Sequence, residues 1–203
     1  MDASDIYERD KQRFFLSLYA YVPCFITTGL CSYALESTTP LLQLTTASVF
    51  TWYWAYFIHR LYHYLPSTGL FYYINPHIAI HHSQEKTLPR WLELTIETVQ
   101  NIFWFFLLYI LQEATQIHIV PDSIILLSLF VYASVHIINY SIFGSEKHRL
   151  QHLNPDVNFG PDFLDHTFGT NSDEEYENMV HFIPNSILSY ILILWLRRWT
   201  VRH

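Results

Sequence analysis

The stretch Phe14–Leu35, FFLSLYAYVPCFITTGLCSYAL, runs for 22 residues without a charge. A helix rises about 1.5 Å per residue, so this run reaches across the roughly 30 Å hydrocarbon core of a bilayer. It is longer than the apolar core of a cleavable signal, and no small-residue cleavage pattern follows it, so a retained spanning helix is predicted. Outward from it, Leu41–Ile58 forms a second uncharged run of 18 residues, reached through the polar turn Glu36-Ser37-Thr38-Thr39-Pro40. A connection this short predicts a helical hairpin. A third span is predicted over residues 94–111, in an element that opens at Pro89 and carries Glu97, Gln100 and Asn101 in its first half. A fourth is predicted over 123–143, after the helix-start signal Pro121-Asp122, interrupted by His136 and Asn139. The last apolar stretch, Ile187–Leu196, has about ten residues, too few to cross, and reads as an interfacial or core helix closed by Arg197 and Arg198.

Composition agrees with this class. The chain has 203 residues, 51% of them hydrophobic and 14% charged, against roughly 25% charged in a soluble globular protein. Mean hydropathy is +0.13. Disordered, collagen-like and low-complexity chains need the opposite bias. The net charge of −7 is too mild to imply a particular partner, and no nucleic-acid partner is expected. All 11 Lys and Arg fall in segments 1–13, 59–93 and 144–203, and none in 36–40 or 112–122. By the positive-inside rule this predicts both termini on the cytosolic side. No internal repeat or linker divides the chain. The expected architecture is an all-α integral membrane protein, a single unit over 1–203, with four transmembrane helices and a cytosolic histidine-rich helical cap. Cys24 and Cys31 lie seven residues apart in the first span and read as buried small apolar residues rather than a disulfide framework.

The 12 histidines outnumber the 11 Lys and Arg together. Ten gather on the predicted cytosolic side, and His118 and His203 stand apart. His59-Arg-Leu-Tyr-His63, His77-Ile-Ala-Ile-His81-His82 and His148-Arg-Leu-Gln-His152 each place two imidazoles at i and i+4, one turn apart on one helix face. One such pair can grip a metal ion, three pairs brought together can hold two, and imidazole suits iron, zinc and copper. A bilayer-facing site of this kind suits a substrate whose reactive carbon lies in a lipid tail. Glu93 and Glu97, also at i and i+4, read as helix-surface residues at the entry of the third span.

The succession HRLYH (59–63), NPHIAIHH (75–82), the isolated His136, KHRLQHLNPDVNFG (147–160) and LDHTFGT (164–170) resembles the fatty acid hydroxylase / sterol desaturase superfamily of membrane-bound dimetal oxygenases. The likeness covers residues 45–170, with the boxes in 59–82 and 136–170. It implies His59, His63, His77, His81, His82, His136, His148 and His152 as metal ligands. Asn158, Gly160, Asp165, Phe168 and Gly169 match the closing motif, with Asn158 and Asp165 behind the ligands or structural. Three departures stand out. Three residues rather than two separate His77 from its doublet, Leu164 replaces the usual Trp, and Gln151 stands where the third box has a histidine. Gln151, His166 and His181 are the further candidate ligands.

The resemblance also implies a function: a lipid hydroxylase or desaturase with two non-haem irons (zinc in a purified form), O2 as co-substrate, and a fatty acyl, sterol or similar lipid as substrate. With no Gly-rich dinucleotide motif in the chain, electrons would come from cytochrome b5 or a ferredoxin-type protein on the cytosolic face, and the expected location is the endoplasmic reticulum. Two other readings come from the residues. Gln151 favours a metal-binding membrane protein of the same fold without oxygenase activity. A metal transporter would need ligands at mid-membrane depth, where only His136 lies.

Overall fold

The computed structural model describes residues 3–66, 68–83, 88–172, 177 and 179–202, and it is helical throughout, with no strand among them. Helix α1 spans Ala3–Leu35 and α2 Leu41–Tyr64. A short α3, Phe71–Ile74, leads into a π-helical turn, His77–His81. Then come α4, Arg90–Thr115, and α5, Asp122–Ser134, which continues as a second π-helical segment, Val135–Ile142. The chain closes with α6, Glu146–Leu153, α7, Asp162–Phe168, a 3-10 turn, Met179–His181, and α8, Phe182–Arg202.

Helix α5 sits at the centre, against α1, α2, α4 and α8. Its position follows from its sequence. Ile124, Leu127, Val131 and Val135 recur at helical spacing and are all buried. Two apolar clusters flank it. One joins Tyr21, Trp52, Tyr56, Phe163, Met179 and Ile193, and the other joins Leu44, Ile58, Trp104, Phe105 and Leu108. Hydroxyls bond between helices where they meet, Thr51 to Ser128 at 2.8 Å and Thr28 to Ser186 at 3.5 Å. Such pairs hold helices together where lipid offers no hydrophobic drive. Large apolar side chains point outward from the same helices, among them Leu42, Val99, Phe106, Leu188 and Trp195. Exposed apolar surface this extensive marks a non-aqueous neighbour.

Among the described residues, three elements are long and apolar enough to cross a membrane: Arg90–Thr115, Asp122–Ile142 and Met179–Trp199. The first two contain the predicted third and fourth spans. The third is a correction, because the C-terminal stretch was read as too short. Asn185, Ser186 and Ser189 interrupt its apolar run in sequence, but they are buried against neighbouring helices, with Asn185 Nδ2 donating to Asn139 Oδ1 at 2.8 Å. Polar residues satisfied between helices do not shorten a span. The first two predicted spans are helical, within α1 and α2. The described side chains of α1 include the apolar stretch Tyr21–Leu35, and α2 runs six residues past its apolar run to carry His59 and His63.

The course of α8 also changes the placing of the C-terminal arginines. Arg197 Nη1 donates to the carbonyl of Leu35 at 3.1 Å, at the C-terminal end of α1. Tyr21, near the other end of that apolar stretch, accepts from the Asp162 amide at 3.0 Å, beside α7. The C-terminal part of α8 therefore lies at the opposite end of the bundle from α7, whereas charge counting had placed all basic residues on one side. Cys24 and Cys31 are buried, as expected, and the Cys24 thiol donates to the Met179 carbonyl at 3.4 Å.

Candidate metal centre

The histidines converge because each box is set at a helix end or a widened turn. His59 and His63 lie in the last turns of α2, one turn apart. His59 Nδ1 lies 2.7 Å from the carbonyl oxygen of Phe159, so Nδ1–H donates there and the lone pair stays on Nε2. The segment after α3 is anchored by Asn75, fully buried, whose Nδ2 donates to the carbonyls of Tyr62 and Leu65 at 2.8 and 3.2 Å. The turn that follows is closed by an i→i+5 bond, the His82 amide to the His77 carbonyl at 2.9 Å. This accounts for the extra residue in HIAIHH. A doublet at i+3 and i+4 flanks one turn of an α-helix, and in a π turn the doublet at i+4 and i+5 does the same. The second π segment, closed by the Phe143 amide on the Ile138 carbonyl at 3.0 Å, carries His136. Widened turns of this kind are frequent at functional sites. In α6, capped by Ser145 accepting from the His148 amide, the Nε2 atoms of His148 and His152 lie 3.1 Å apart.

Two clusters result. In the first, one ring nitrogen from each of His59, His63, His77 and His82 lies within 4.8 Å of the others, and His77 Nε2 is 2.9 Å from His59 Nε2 and 3.0 Å from His63 Nε2. In the second, His81 meets His148 and His152 within the same limit, and it also groups with Glu97 and His136. The doublet joins the two: His82 groups with the first cluster and stacks on His152 of the second, ring centroids 4.3 Å apart, while His81 groups with the second and stacks on His77 of the first at 5.3 Å. All eight expected ligands are thus brought together.

The chemistry of the donor set fits a cation. Both ring nitrogens of His82 are buried with no hydrogen-bond partner among the described residues. A buried polar atom left so costs about 1–3 kcal/mol, and a metal ion would satisfy it. Burial, reinforced by the neighbouring imidazoles, holds His77, His82 and His148 well below the usual imidazole pKa, and His63 is lowered to about 4. They are therefore neutral, the state that binds metal. Copper, iron and zinc all accept such a set.

Glu97, read from sequence as a surface residue, is 3% exposed and faces the second cluster. Its Oε2 lies 3.2 Å from His81 Nδ1 and its Oε1 3.1 Å from His136 Nε2, and Ser141 Oγ donates to Oε1. Glu93, also buried, pairs with Arg90 at 3.4 Å. The signal was a polar stripe: Glu93, Glu97, Gln100, Asn101 and Gln112 share one buried face of α4. On a helix able to cross a membrane, such a face turns to protein interior.

The remaining candidates separate. Gln151 is buried, with its Nε2 3.2 Å from His59 Nε2, beside the first cluster. His166 lies 3.6 Å from Asp162, and His181 meets Tyr140 edge-to-face with centroids 5.9 Å apart. Neither joins a metal-capable group among the described residues. His118 pairs with Glu113 at 3.7 Å, and His203 lies outside the described residues. Asp165 accepts from the amides of Phe159 and Gly160 at 2.9 and 2.8 Å and from Thr170 Oγ1 at 2.7 Å. It thus fixes the residue whose carbonyl holds His59. Burial raises its pKa to about 7. Asn158, at φ 57°, ties Lys147 to Ser172 through its side chain, steadying the start of α6. A cavity adjoins both clusters, lined by His59, His136, His148 and Gln151, by apolar residues such as Phe105 and Val131, and by Lys147, Asp162, Asp165 and Glu177.

Comparison with family models, with curated proteins and with solved structures finds no match to this chain.

Proposed function

We propose that the protein is a membrane-bound oxidoreductase that uses O2 and external electrons to hydroxylate or desaturate a C–H bond of a lipid. The observation that supports this best is the pairing of two imidazole clusters through the His81-His82 doublet, beside a partly apolar cavity between helices long enough to cross a bilayer. Each element has a task. The eight histidines hold two ions, two irons in the working protein. Bound iron supplies the oxygen-dependent chemistry, with the overall balance R–H + O2 + 2e⁻ + 2H⁺ → R–OH + H2O for a hydroxylation. The Phe159 carbonyl fixes the tautomer of His59, and the apolar cavity wall excludes water and seats a lipid chain. The electrons come from a cytochrome b5 or ferredoxin-type donor at the histidine face.

In this reading α1, α2, α4, α5 and α8 form the membrane bundle, the histidine end faces the cytosol, and the membrane is the endoplasmic reticulum. The reading is tested by untargeted lipid analysis of cells expressing the wild type against cells expressing His82→Ala. An oxidised lipid present only with the wild type is expected; identical lipid profiles would overturn the reading. A second reading rests on Gln151. An amide beside His59 in place of an imidazole suits a metal-binding protein without oxygenase activity, and it predicts bound metal and no converted lipid when donor and O2 are supplied.

A further inference from the structure

We propose that Glu97 is the positioning residue of the second cluster: a single buried carboxylate that holds the rings of His81 and His136 and fixes which nitrogen His81 turns toward an ion. The two oxygens divide the work, with Oε2 3.2 Å from His81 Nδ1 and Oε1 3.1 Å from His136 Nε2. A carboxylate only accepts hydrogen bonds. With the Nδ1 proton of His81 turned toward Oε2, its lone pair lies on Nε2, available to the group of His81, His148 and His152. Metal-bound histidines are commonly held this way by a carboxylate, and loss of such a partner weakens metal binding about 10–100-fold.

The assignment also makes the two clusters unlike. His59 is held in the first by a backbone carbonyl at 2.7 Å, which is neutral, whereas the second is held by a charge placed inside a helix able to cross the membrane. A buried carboxylate there is costly unless it is paired, and the two imidazoles and the Ser141 hydroxyl are its partners. The charge of Glu97 would offset part of the positive charge of an ion at the second cluster. The first cluster has only neutral donors.

This inference rests on the clusters being metal sites and requires no activity. The full chain, purified in nanodiscs, is titrated with Zn2+ and Co2+, and bound metal per chain and the Co2+ absorption bands are recorded. Two ions are expected for the wild type. Glu97→Gln should weaken one of them about 10–100-fold while the other keeps wild-type affinity and spectrum, and Glu97→Asp should recover part of the loss. Ser141→Ala should weaken the same ion by less. A Glu97→Gln protein that binds both ions as the wild type does overturns the proposal, as does equal loss of both, which is the mark of a purely structural role. If Glu97→Gln does not fold, Ser141→Ala and Glu97→Asp decide by the same criterion. A wild type that binds no metal overturns the metal-site reading itself, which is a distinguishable result.

Discussion

The two histidine clusters differ in how they are assembled. The first draws His59, His63, His77 and His82 from α2 and the π turn that follows it, a single local stretch of chain. The second gathers His81, Glu97, His136, His148 and His152 from the π turn, α4, the second π segment and α6. A local cluster needs helix periodicity and one anchored connection, with the Phe159 carbonyl on His59 as its distant support. A distributed one needs the packing of α4 against α5 to be right, and here it also needs a buried charge to hold it. The first cluster should therefore form even where the bundle is loosened, and the second should not.

Ligand removal is the strongest way to break the comparison. His63→Ala should remove the ion of the first cluster and leave the second, and His148→Ala should do the reverse, as read by metal content per chain. His82→Ala should go further, because His82 also stacks on His152 and joins the clusters. Loss of the first ion with a weakened second is expected, together with complete loss of any oxidised lipid product. Loss of both ions in all three variants would show one undivided site instead of two.

The difference in assembly also explains how much was legible beforehand. The three i,i+4 pairs lie within short stretches, and helix geometry alone predicts their facing imidazoles, so all eight histidines could be named from sequence. Glu97 could not be weighed correctly, because its partners His81 and His136 are 16 and 39 residues away and only the fold shows that α4 turns this face inward. The C-terminal span was misjudged for a related reason. A hydropathy count treats Asn185 and Ser186 as breaks, yet each is satisfied across a helix contact, Asn185 by Asn139 and Ser186 by Thr28. The π turn was visible only as an odd spacing. Its meaning depends on the His82 to His77 backbone bond, which sequence does not display.

A smaller effect comes from pH, and it sets the ligands against the residue that steadies them. In the metal-free protein His63 has a folded pKa of about 4 against an ordinary 6.5, caused mainly by burial. As pH falls below 6.5 the unfolded chain takes up a proton that the folded one refuses, so stability is lost from about 6.5 down through about 4. Asp165 has the opposite sign. Burial raises its pKa from 3.8 to about 7, so the folded protein keeps a proton that the unfolded one releases, and stability is lost as pH rises from 3.8 to about 7. Asp165→Asn should abolish that loss on rising pH in thermal unfolding of the metal-free protein, while leaving intact the opposite His63 loss as pH falls from 6.5 to about 4. It should also weaken the first cluster more than the second, since Asp165 reaches His59 through Phe159.

Gln151 tests whether the first cluster is complete. Its amide lies 3.2 Å from His59 Nε2, within reach of an ion held there. Gln151→His should tighten the first ion by about tenfold, because imidazole is the better donor for such metals, and should leave the second unchanged. Unchanged affinity at both clusters would place Gln151 outside the coordination of either ion.

The smallest effect is expected where the sequence offered ligands that the fold directs elsewhere. His166 is within 3.6 Å of Asp162 Oδ2, and Asp162 Oδ1 receives Lys147 at 3.0 Å, one residue before His148. That chain of contacts ends on the backbone next to a ligand and never reaches a ring nitrogen of either cluster. His166→Ala removes one arm of the arrangement and leaves the Lys147–Asp162 pair, so metal content should be unchanged and the affinity of the second ion should shift by less than about threefold, the size of a modest local rearrangement of about 0.6 kcal/mol. A larger shift confined to the second ion would mean that Asp162 positions His148 through Lys147, and it would extend the distributed character of that cluster to a fifth element, α7.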